Sequence, residues 1–232
     1  MTSATYIARR GELQTYFDRT AVDAWSRLTS DAPVSRIRAT VRAGREAMRT
    51  NLLAWLPQDL TGRRLLDAGC GTGALAVEAG HRGAQVTAID LSPTLTKLAR
   101  ERLPAELDGR IEFRVGDMLD PAHGIFDHAV AMDSLIHYRA PDMVRALASL
   151  AQRVEHSIAF TFAPRTPALS VMHAVGRLFP RGNRAPAIEP VGPVALQQLL
   201  AADPALAGWR VNRIQRVTTG FYMSQGVELV RS

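Results

Sequence analysis

The sequence predicts an α/β fold with a sheet of five parallel strands, a C-terminal antiparallel hairpin and helices on both faces. Three observations lead to this expectation. Short apolar stretches alternate with amphipathic ones from residue 63 to 162, as strands alternate with helices in a parallel sheet. The first of these strands runs directly into a glycine-rich loop. The last two strand patterns are joined only by Thr218-Thr219-Gly220, which favours a hairpin turn.

Two helices are expected ahead of the sheet. The first covers residues 12–28 and is ended by Asp31-Ala32-Pro33. The second covers residues 35–56, with Ser35 as its N-cap and Pro57 just beyond its end. One face of the second helix is apolar and comprises Ile37, Val41, Met48, Leu52 and Trp55. Another face is basic, and it is either a solvated surface or a dock for a substrate carboxylate or an acidic lipid. This basic face comprises Arg38, Arg42, Arg45 and Arg49.

The alternating segment comes next and is followed by an irregular one. Parallel strands are expected near residues 64–67, 85–90, 111–115, 126–131 and 156–162, and helices near 73–82, 93–103 and 141–153. A last helix at 193–202 and strands at 209–216 and 221–230 complete the sheet. We therefore divide the chain into an N-terminal helical cap (1–56), a ligand-binding core (57–162), a lid insert between strands 5 and 6 (163–192) and a core-completing segment (193–232).

The first strand tip carries the most informative motif. Residues 67–73 read Asp-Ala-Gly-Cys-Gly-Thr-Gly, so an acid is followed by a loop with glycine at every second position. Such a loop lets a nucleotide-like ligand press against the backbone, and the helix that follows directs free N–H groups at the same crevice. The carboxylate of Asp67 would repel a pyrophosphate, whereas it suits the ammonium of S-adenosylmethionine.

Two further strand tips complete the prediction of an adenosine site. Asp90 is placed to hold the ribose hydroxyls, and Asp117 to bond the adenine amino group beside the apolar Met118. The motif Gly69-x-Gly71-x-x-Ala74 also fits the dinucleotide fingerprint, but an NAD-binding fold would continue as strand–helix–strand where this chain predicts a hairpin. The tips together predict a class I, Rossmann-like methyltransferase sheet. Its predicted cofactor-binding residues are Asp67, Gly69, Cys70, Gly71, Gly73, Asp90, Leu91, Asp117, Met118 and Asp133.

Composition excludes several other classes. The single cysteine, Cys70, rules out an internal disulfide and a zinc cluster, and no protein-bound metal is expected. A net charge of +6 suits an anionic partner, but the motifs of nucleic-acid base methylases are absent, so no nucleic acid is expected. The N-terminus lacks the apolar core of a signal peptide, and no apolar stretch reaches membrane-spanning length. We therefore expect a cytoplasmic protein.

Several segments carry a resemblance to one family. They are Tyr16-Phe17, Asp23-x-Trp25, the Asp67–Gly73 loop, Leu135-Ile136-His137-Tyr138, Phe162-Ala163-Pro164-Arg165-Thr166, Leu178-Phe179-Pro180 and Phe221-Tyr222. Over nearly its whole length the chain resembles the magnesium protoporphyrin IX methyltransferases of chlorophyll and bacteriochlorophyll synthesis. The resemblance implies transfer of a methyl group from adenosylmethionine to one propionate of Mg-protoporphyrin IX. The products would be the monomethyl ester and S-adenosyl-L-homocysteine.

The resemblance also suggests roles for individual residues. His137 would orient the propionate, and Tyr16 would close over the site, while ordinary packing remains the alternative for both. The insert would give a macrocycle an apolar wall and cations for its carboxylates, and the alternative is a loop helix packed on the core with solvated arginines. The predicted substrate-binding residues are Tyr138, Arg165, Met172, Arg177, Phe179 and Arg181. Any magnesium would arrive with the porphyrin.

Three points stay open from the sequence. Another small-molecule methyltransferase and a non-catalytic porphyrin carrier are the alternative functions. A subunit of magnesium chelatase is a candidate partner because it would supply the porphyrin. A peripheral contact with the photosynthetic membrane is a further candidate interaction, for which the basic charge is the motivation.

Overall fold

The computed structural model describes residues 3–19, 36–165 and 188–232. Its centre is a seven-stranded sheet. The strands are β1 (Arg64–Ala68), β2 (Gln85–Asp90), β3 (Ile111–Val115), β4 (Phe126–Ala131), β5 (Val154–Phe162), β6 (Trp209–Thr219) and β7 (Tyr222–Arg231). Their spatial order is β3-β2-β1-β4-β5-β7-β6. The first five are parallel and β7 runs antiparallel to both neighbours, so the predicted sheet is confirmed.

Helices cover both faces of this sheet. Those described are α1 (Ala4–Arg19), α2 (Arg36–Trp55), α3 (Ala74–His81), α4 (Pro93–Glu101), α5 (Ala140–Ala151) and α6 (Pro193–Ala202). Side chains alternate along each strand, so Leu65 joins the core beneath α2 and α3, while Leu66 joins the core beneath α5 and α6. Among the described residues, no helix is long and apolar enough to cross a membrane.

The first helix begins earlier than predicted. It starts at Ala4 rather than near residue 12, and the predicted stretch from residue 20 to 28 lies outside the described residues. Ser3 explains the start, because its hydroxyl oxygen accepts a hydrogen bond from the backbone N–H of Tyr6, as an N-cap does. Tyr6 and Leu13 are seven residues apart and both are buried, which holds this early turn on the core.

The second helix follows the prediction closely, although Ser35, the predicted N-cap, lies outside the described residues. Met48 and Leu52 are completely buried and share a core with the sheet. Ile37, predicted to be part of the apolar face, is instead 53% exposed because the helix reaches past the edge of the core there. Since α2 is packed on the sheet, the boundary at residue 56 does not separate two cores.

The C-terminal hairpin has a tighter turn than the sequence indicated. Thr219 pairs with Tyr222, so β6 extends to Thr219 and only Gly220 and Phe221 connect the strands. Gly220 has a φ of 55°, the left-handed conformation that such a turn requires. The hairpin tip lies against α2, since a Cβ atom on Gly220 would come within 2.5 Å of the Thr40 hydroxyl.

Candidate active site

A cavity of about 310 Å³ lies at the carboxyl ends of the parallel strands. Helices α1 and α2 close it from above, and the loops that follow β1, β2, β3 and β4 form its floor. The four strand-tip acids predicted from the sequence, Asp67, Asp90, Asp117 and Asp133, all line it. The volume falls at the lower end of the range of about 300–1,000 Å³ that is usual for cofactor sites.

The three glycines of the loop share a positive φ but differ in what surrounds them. All have positive φ: 85° at Gly69, 54° at Gly71 and 81° at Gly73. A Cβ on Gly69 would lie 2.4 Å from the Ser134 side chain, and one on Gly73 would lie 2.8 Å from the Phe113 ring. Gly71 has open space at that position and faces the cavity. The loop therefore presents Gly71 to a ligand, while Gly73 packs α3 against the sheet and is not on the cavity wall.

Asp67 fits a positively charged ligand. Its side chain is buried, and its Oδ2 atom has no hydrogen-bond partner within the described residues. Burial, reinforced by the nearby Asp90, raises the pKa of the Asp67 carboxyl to about 7. A buried carboxylate oxygen without a donor is costly, and the ammonium of adenosylmethionine would supply both a charge and donors.

Asp90 organises the loop and faces the cavity. It accepts hydrogen bonds from the backbone N–H groups of Gly71, at 2.8 Å, and Ser92, at 2.9 Å. Burial raises the pKa of this carboxyl as well. The neighbouring Leu91 lines the same wall, so an acid able to accept from ribose hydroxyls lies next to an apolar surface.

Asp117 is engaged by a helix that the sequence did not connect with it. The Tyr6 hydroxyl donates to Asp117 Oδ1 at 2.8 Å, and Arg10 donates to Asp117 Oδ2 at 2.6 Å. Helix α1 thus lies directly over the predicted adenine position, where Met118 supplies the apolar wall. The spacing of Tyr6, Arg10 and Leu13 at i, i+4 and i+7 was the available signal for this face.

Cys70 lies on the cavity wall but is not poised as a nucleophile. Burial, together with the acids Asp67 and Asp90, raises the pKa of its thiol well above the usual range. The thiolate that nucleophilic chemistry requires is therefore suppressed. Cys70 serves as a small loop residue beside the ligand space, where cofactor binding was predicted for it.

Asp133 forms a fixed polar cluster at the tip of β4. Its carboxylate accepts from Arg45 at 2.6 Å and from the Tyr222 hydroxyl at 3.1 Å, and its backbone N–H donates to the Thr161 hydroxyl at 2.7 Å. Asp133 is the one described non-glycine residue with positive φ, at 53°. An unfavourable backbone conformation kept by several hydrogen bonds is typical of functional positions. Asp133 holds Arg45 in place at the cavity wall and accepts a hydrogen bond from Tyr222, which is not itself on the wall.

His137 and Tyr138 follow this cluster and both line the cavity. His137 is buried, its ring stands edge-on to that of Phe17 at 5.8 Å, and its carbonyl accepts from Arg9. Tyr138 stacks on Tyr6 with ring centroids 4.8 Å apart. We call residues 134–138 the acceptor segment, because His137 is expected to orient the group that accepts the methyl. This segment is thus held by α1.

Tyr16 lies beside the cavity rather than on its wall. The rings of Tyr16 and Phe17 pack edge to face, and it is Phe17 that reaches the cavity. One residue step turns a helix by about 100°, so neighbours on α1 cannot face the same way. The role suggested for Tyr16 stays a prediction.

The ends of the insert meet beside the acceptor segment. Arg165 donates its backbone N–H to Val191, and its guanidinium reaches the carbonyl of Pro190 at 3.3 Å. Glu189 in turn donates its backbone N–H to the carbonyl of Ile136. Arg165 is exposed and is not on the cavity wall. The other predicted substrate-binding residues of the insert, Met172, Arg177, Phe179 and Arg181, lie outside the described residues.

A parallel sheet closed by a hairpin, a glycine loop and acids at three successive strand tips define a class I S-adenosylmethionine-dependent methyltransferase. Two family models match the chain: Methyltransferase domain over residues 65–156, and Magnesium-protoporphyrin IX methyltransferase C-terminus over residues 131–231. A magnesium-protoporphyrin O-methyltransferase of Rhodobacter capsulatus is 50% identical over 224 residues, which cover 96% of this chain and 97% of that protein. The chain belongs to the magnesium protoporphyrin IX methyltransferase family.

More distant relatives extend the match. The chloroplastic magnesium protoporphyrin IX methyltransferase of Arabidopsis thaliana is 30% identical, over 93% of this chain and 69% of that protein. The crystal structure of the Synechocystis magnesium protoporphyrin IX methyltransferase with bound S-adenosylhomocysteine superposes with a TM-score of 0.84 at 27% identity. That superposition covers 96% of this chain and all of the other. The predicted fold class and family are confirmed.

Proposed function

We propose that this protein transfers a methyl group from S-adenosylmethionine to a propionate carboxylate of Mg-protoporphyrin IX and so forms the monomethyl ester. The observation that carries the proposal is one continuous cavity, which joins the buried carboxylate of Asp67 to the acceptor segment at His137 and Tyr138. Membership in the family supports the choice of porphyrin as the substrate.

The residues fit the cofactor along its length. Asp67 would hold the ammonium, Asp90 the ribose, and Asp117 with Met118 the adenine. When bound, adenosylmethionine supplies an electrophilic methyl group on a sulfonium. S-adenosylhomocysteine, which would remain after transfer, keeps the ammonium, the ribose and the adenine that these residues would hold.

The acceptor requires little chemical help. A propionate is already ionised at pH 7, so no general base is needed to create the nucleophile. The protein must instead hold the carboxylate in line with the methyl group and keep water away from it. Buried His137 and the rings of Phe17 and Tyr138 provide a confined, largely apolar space for this.

The direct test is product formation. Purified protein incubated with adenosylmethionine and Mg-protoporphyrin IX should give a porphyrin heavier by one CH2 unit in mass spectrometry. The dimethyl ester of the same porphyrin, which has no free carboxylate, is the matched control and should not react. Porphyrin binding without any product would favour a carrier, and methylation of other small molecules alone would favour a different methyltransferase.

We further propose that the protein works in the cytoplasm, contacts the photosynthetic membrane peripherally and receives its porphyrin from a subunit of magnesium chelatase. The support is physical. Porphyrins are large and apolar, so direct delivery avoids their release into water. The net charge of +6 and the exposed side chains of Ile37 and Phe221 suit an anionic, apolar surface.

A further inference from the structure

The cavity is divided by charge into two sides. The floor carries the acids Asp67, Asp90 and Asp117 at the tips of β1, β2 and β3. The opposite wall is formed by α2, which places Arg42, Arg45 and Arg49 along the same cavity, with one acid, Glu46, among them. The spacing of the arginines, three and four residues, puts them on one helix face. A mainly acidic floor therefore faces a mainly basic wall.

Arg45 is paired with a buried acid at the tip of β4. Its Nη1 lies 2.6 Å from Asp133, whose side chain is only 5% exposed. Asp133 is itself held by the hydroxyls of Tyr222 and Thr161. The Arg45 guanidinium is thus fixed on one side by a buried hydrogen-bond network. The Arg45 side chain as a whole remains 22% exposed at the cavity wall. A group that is fixed at one end and reaches a cavity is suited to positioning a ligand.

Arg49 is held differently. It pairs with Glu78 of α3, the helix that follows the glycine loop. Arg45 instead pairs with the tip of β4, from which the acceptor segment Ser134–Tyr138 continues along the cavity. The two arginines are one helical turn apart and are directed to different parts of the site. Arg45 is the one on the acceptor side.

We infer that Arg45 is a substrate-positioning residue that binds the acceptor carboxylate, and that Asp133 and Tyr222 orient Arg45. The inference rests on the proposed function, because it assigns the group that receives the methyl. An arginine presents several N–H donors in a planar fork that matches a carboxylate. Holding the propionate at one oxygen leaves the other to approach the methyl group. The basic face of α2 thereby gains a specific role at one of its positions.

The test compares Arg45→Gln with Arg38→Gln. Arg38 lies on the same basic face but is exposed and does not line the cavity, so it is the matched control. Fluorescence quenching would measure affinity for Mg-protoporphyrin IX and for its dimethyl ester. Arg45→Gln should weaken binding of the diacid by about 10- to 100-fold, the usual range for a lost charged hydrogen bond, and leave the diester nearly unchanged. Equal weakening of both porphyrins would show a structural role and overturn the inference.

A second arm separates the acceptor carboxylate from that of adenosylmethionine. Calorimetry would compare S-adenosylhomocysteine with methylthioadenosine, which lacks the amino-acid part. Arg45→Gln should bind both as the unaltered protein does. A loss confined to S-adenosylhomocysteine would assign Arg45 to the cofactor instead and overturn the inference.

A further pair of variants covers the case in which Arg45→Gln fails to fold. Arg45→Lys keeps the charge but loses the fork, so it should raise KM for the porphyrin more than it lowers kcat. Asp133→Asn should act in the same direction and add little to Arg45→Lys, because both changes disturb one contact. Strictly additive effects would overturn the orienting role of Asp133. Ester formation by the unaltered protein tests the proposed function separately.

Discussion

Asp67 carries a buried carboxyl group with one oxygen that no described residue satisfies. Its raised pKa, about 7, means that the folded state binds a proton more tightly than the unfolded chain does. Stability contributed by the protonated form is therefore lost as pH rises from about 4 towards 7. Ionisation of Asp67 therefore lowers the stability of the ligand-free protein, but the ionised carboxylate is the form that binds an ammonium group.

This environment gives a prediction for Asp67→Asn. In the ligand-free protein at pH 8 the variant should be more stable by roughly 1–3 kcal/mol, because a buried unpaired charge is removed. Thermal unfolding measured at several pH values would show the gain. Near pH 4 the gain should vanish, since the Asp67 carboxyl of the folded unaltered protein is then protonated and carries no charge. Affinity for adenosylmethionine at pH 8 should fall in the variant, and unchanged affinity would remove Asp67 from the cofactor site.

His137 gives a second prediction at this scale. It lies four residues past Asp133 and lines the cavity on the acceptor side. If it orients the propionate, His137→Ala should lower kcat by about 10- to 100-fold, which corresponds to about 1.4–2.7 kcal/mol. Some activity should survive because no general base is needed. Steady-state kinetics would measure this.

The control for His137 is cofactor binding. Calorimetry should give nearly the same affinity for S-adenosylhomocysteine in His137→Ala, because the adenosine contacts lie on other strand tips. His137→Gln keeps a polar side chain and fills more of the space, so it should recover part of the lost activity. Normal turnover in His137→Ala would show that the histidine only packs against Phe17.

At the scale of elements, α1 is the helix that we expect to open most readily. It contacts the floor through Tyr6 and Arg10 on Asp117, and its first turn is tied to α5 because Ser3 and Thr5 both hydrogen-bond to Asp142. Two of its side chains, Tyr6 and Leu13, are also buried, and most of the other described ones are exposed or half-buried. An element with few buried side chains opens more readily than one buried in a core, so α1 is suited to admit ligands to the cavity.

Tyr6→Phe tests how α1 is held. Burial raises the pKa of the Tyr6 phenol, so it stays protonated and donates to Asp117 at any physiological pH. Removing the Tyr6 hydroxyl should lower the local stability of α1 by about 1–2 kcal/mol, and amide exchange in α1 should become about 5- to 30-fold faster. Tyr16→Phe on the same helix is the matched control and should change exchange little. Equal exchange in both variants would show that other contacts hold α1.

Element boundaries show where sequence reasoning was limited. Strands β1 to β4 and helices α2 to α5 were predicted to within about two residues, because each has a clear apolar pattern of the right period. Helix α1 was placed eight residues late, since its early turns are mostly polar. What stabilises them is the N-cap at Ser3 and the burial of Tyr6 against Tyr138, a residue far away in the chain.

At the scale of the molecule, the segments outside the alternating core meet over one cavity. Helix α1 covers the floor, α2 provides the basic wall, and the returning end of the insert packs beside the acceptor segment. Helix α2 is anchored more deeply, because Met48, Leu52 and Leu53 are fully buried against the sheet, whereas α1 buries Tyr6 and Leu13. We therefore expect α1, rather than the whole N-terminal cap, to open the site.

The sequence by itself determined the fold class and which strand-tip acids line the cavity. Those signals are local: Asp67 and the glycines are consecutive, and Asp90 and Asp117 each end a recognisable strand. Parallel strands bring such tips together without further information.

Only the tertiary structure decided the roles of Tyr6, Arg45 and Tyr222. Tyr6 lies 111 residues along the chain from its partner Asp117. Arg45 and Tyr222 lie 88 and 89 residues from their shared partner Asp133. Periodicity predicts which face of a helix is apolar or basic, but the way that face meets the sheet depends on packing across the whole domain. The acceptor side of this protein is built from such distant contacts.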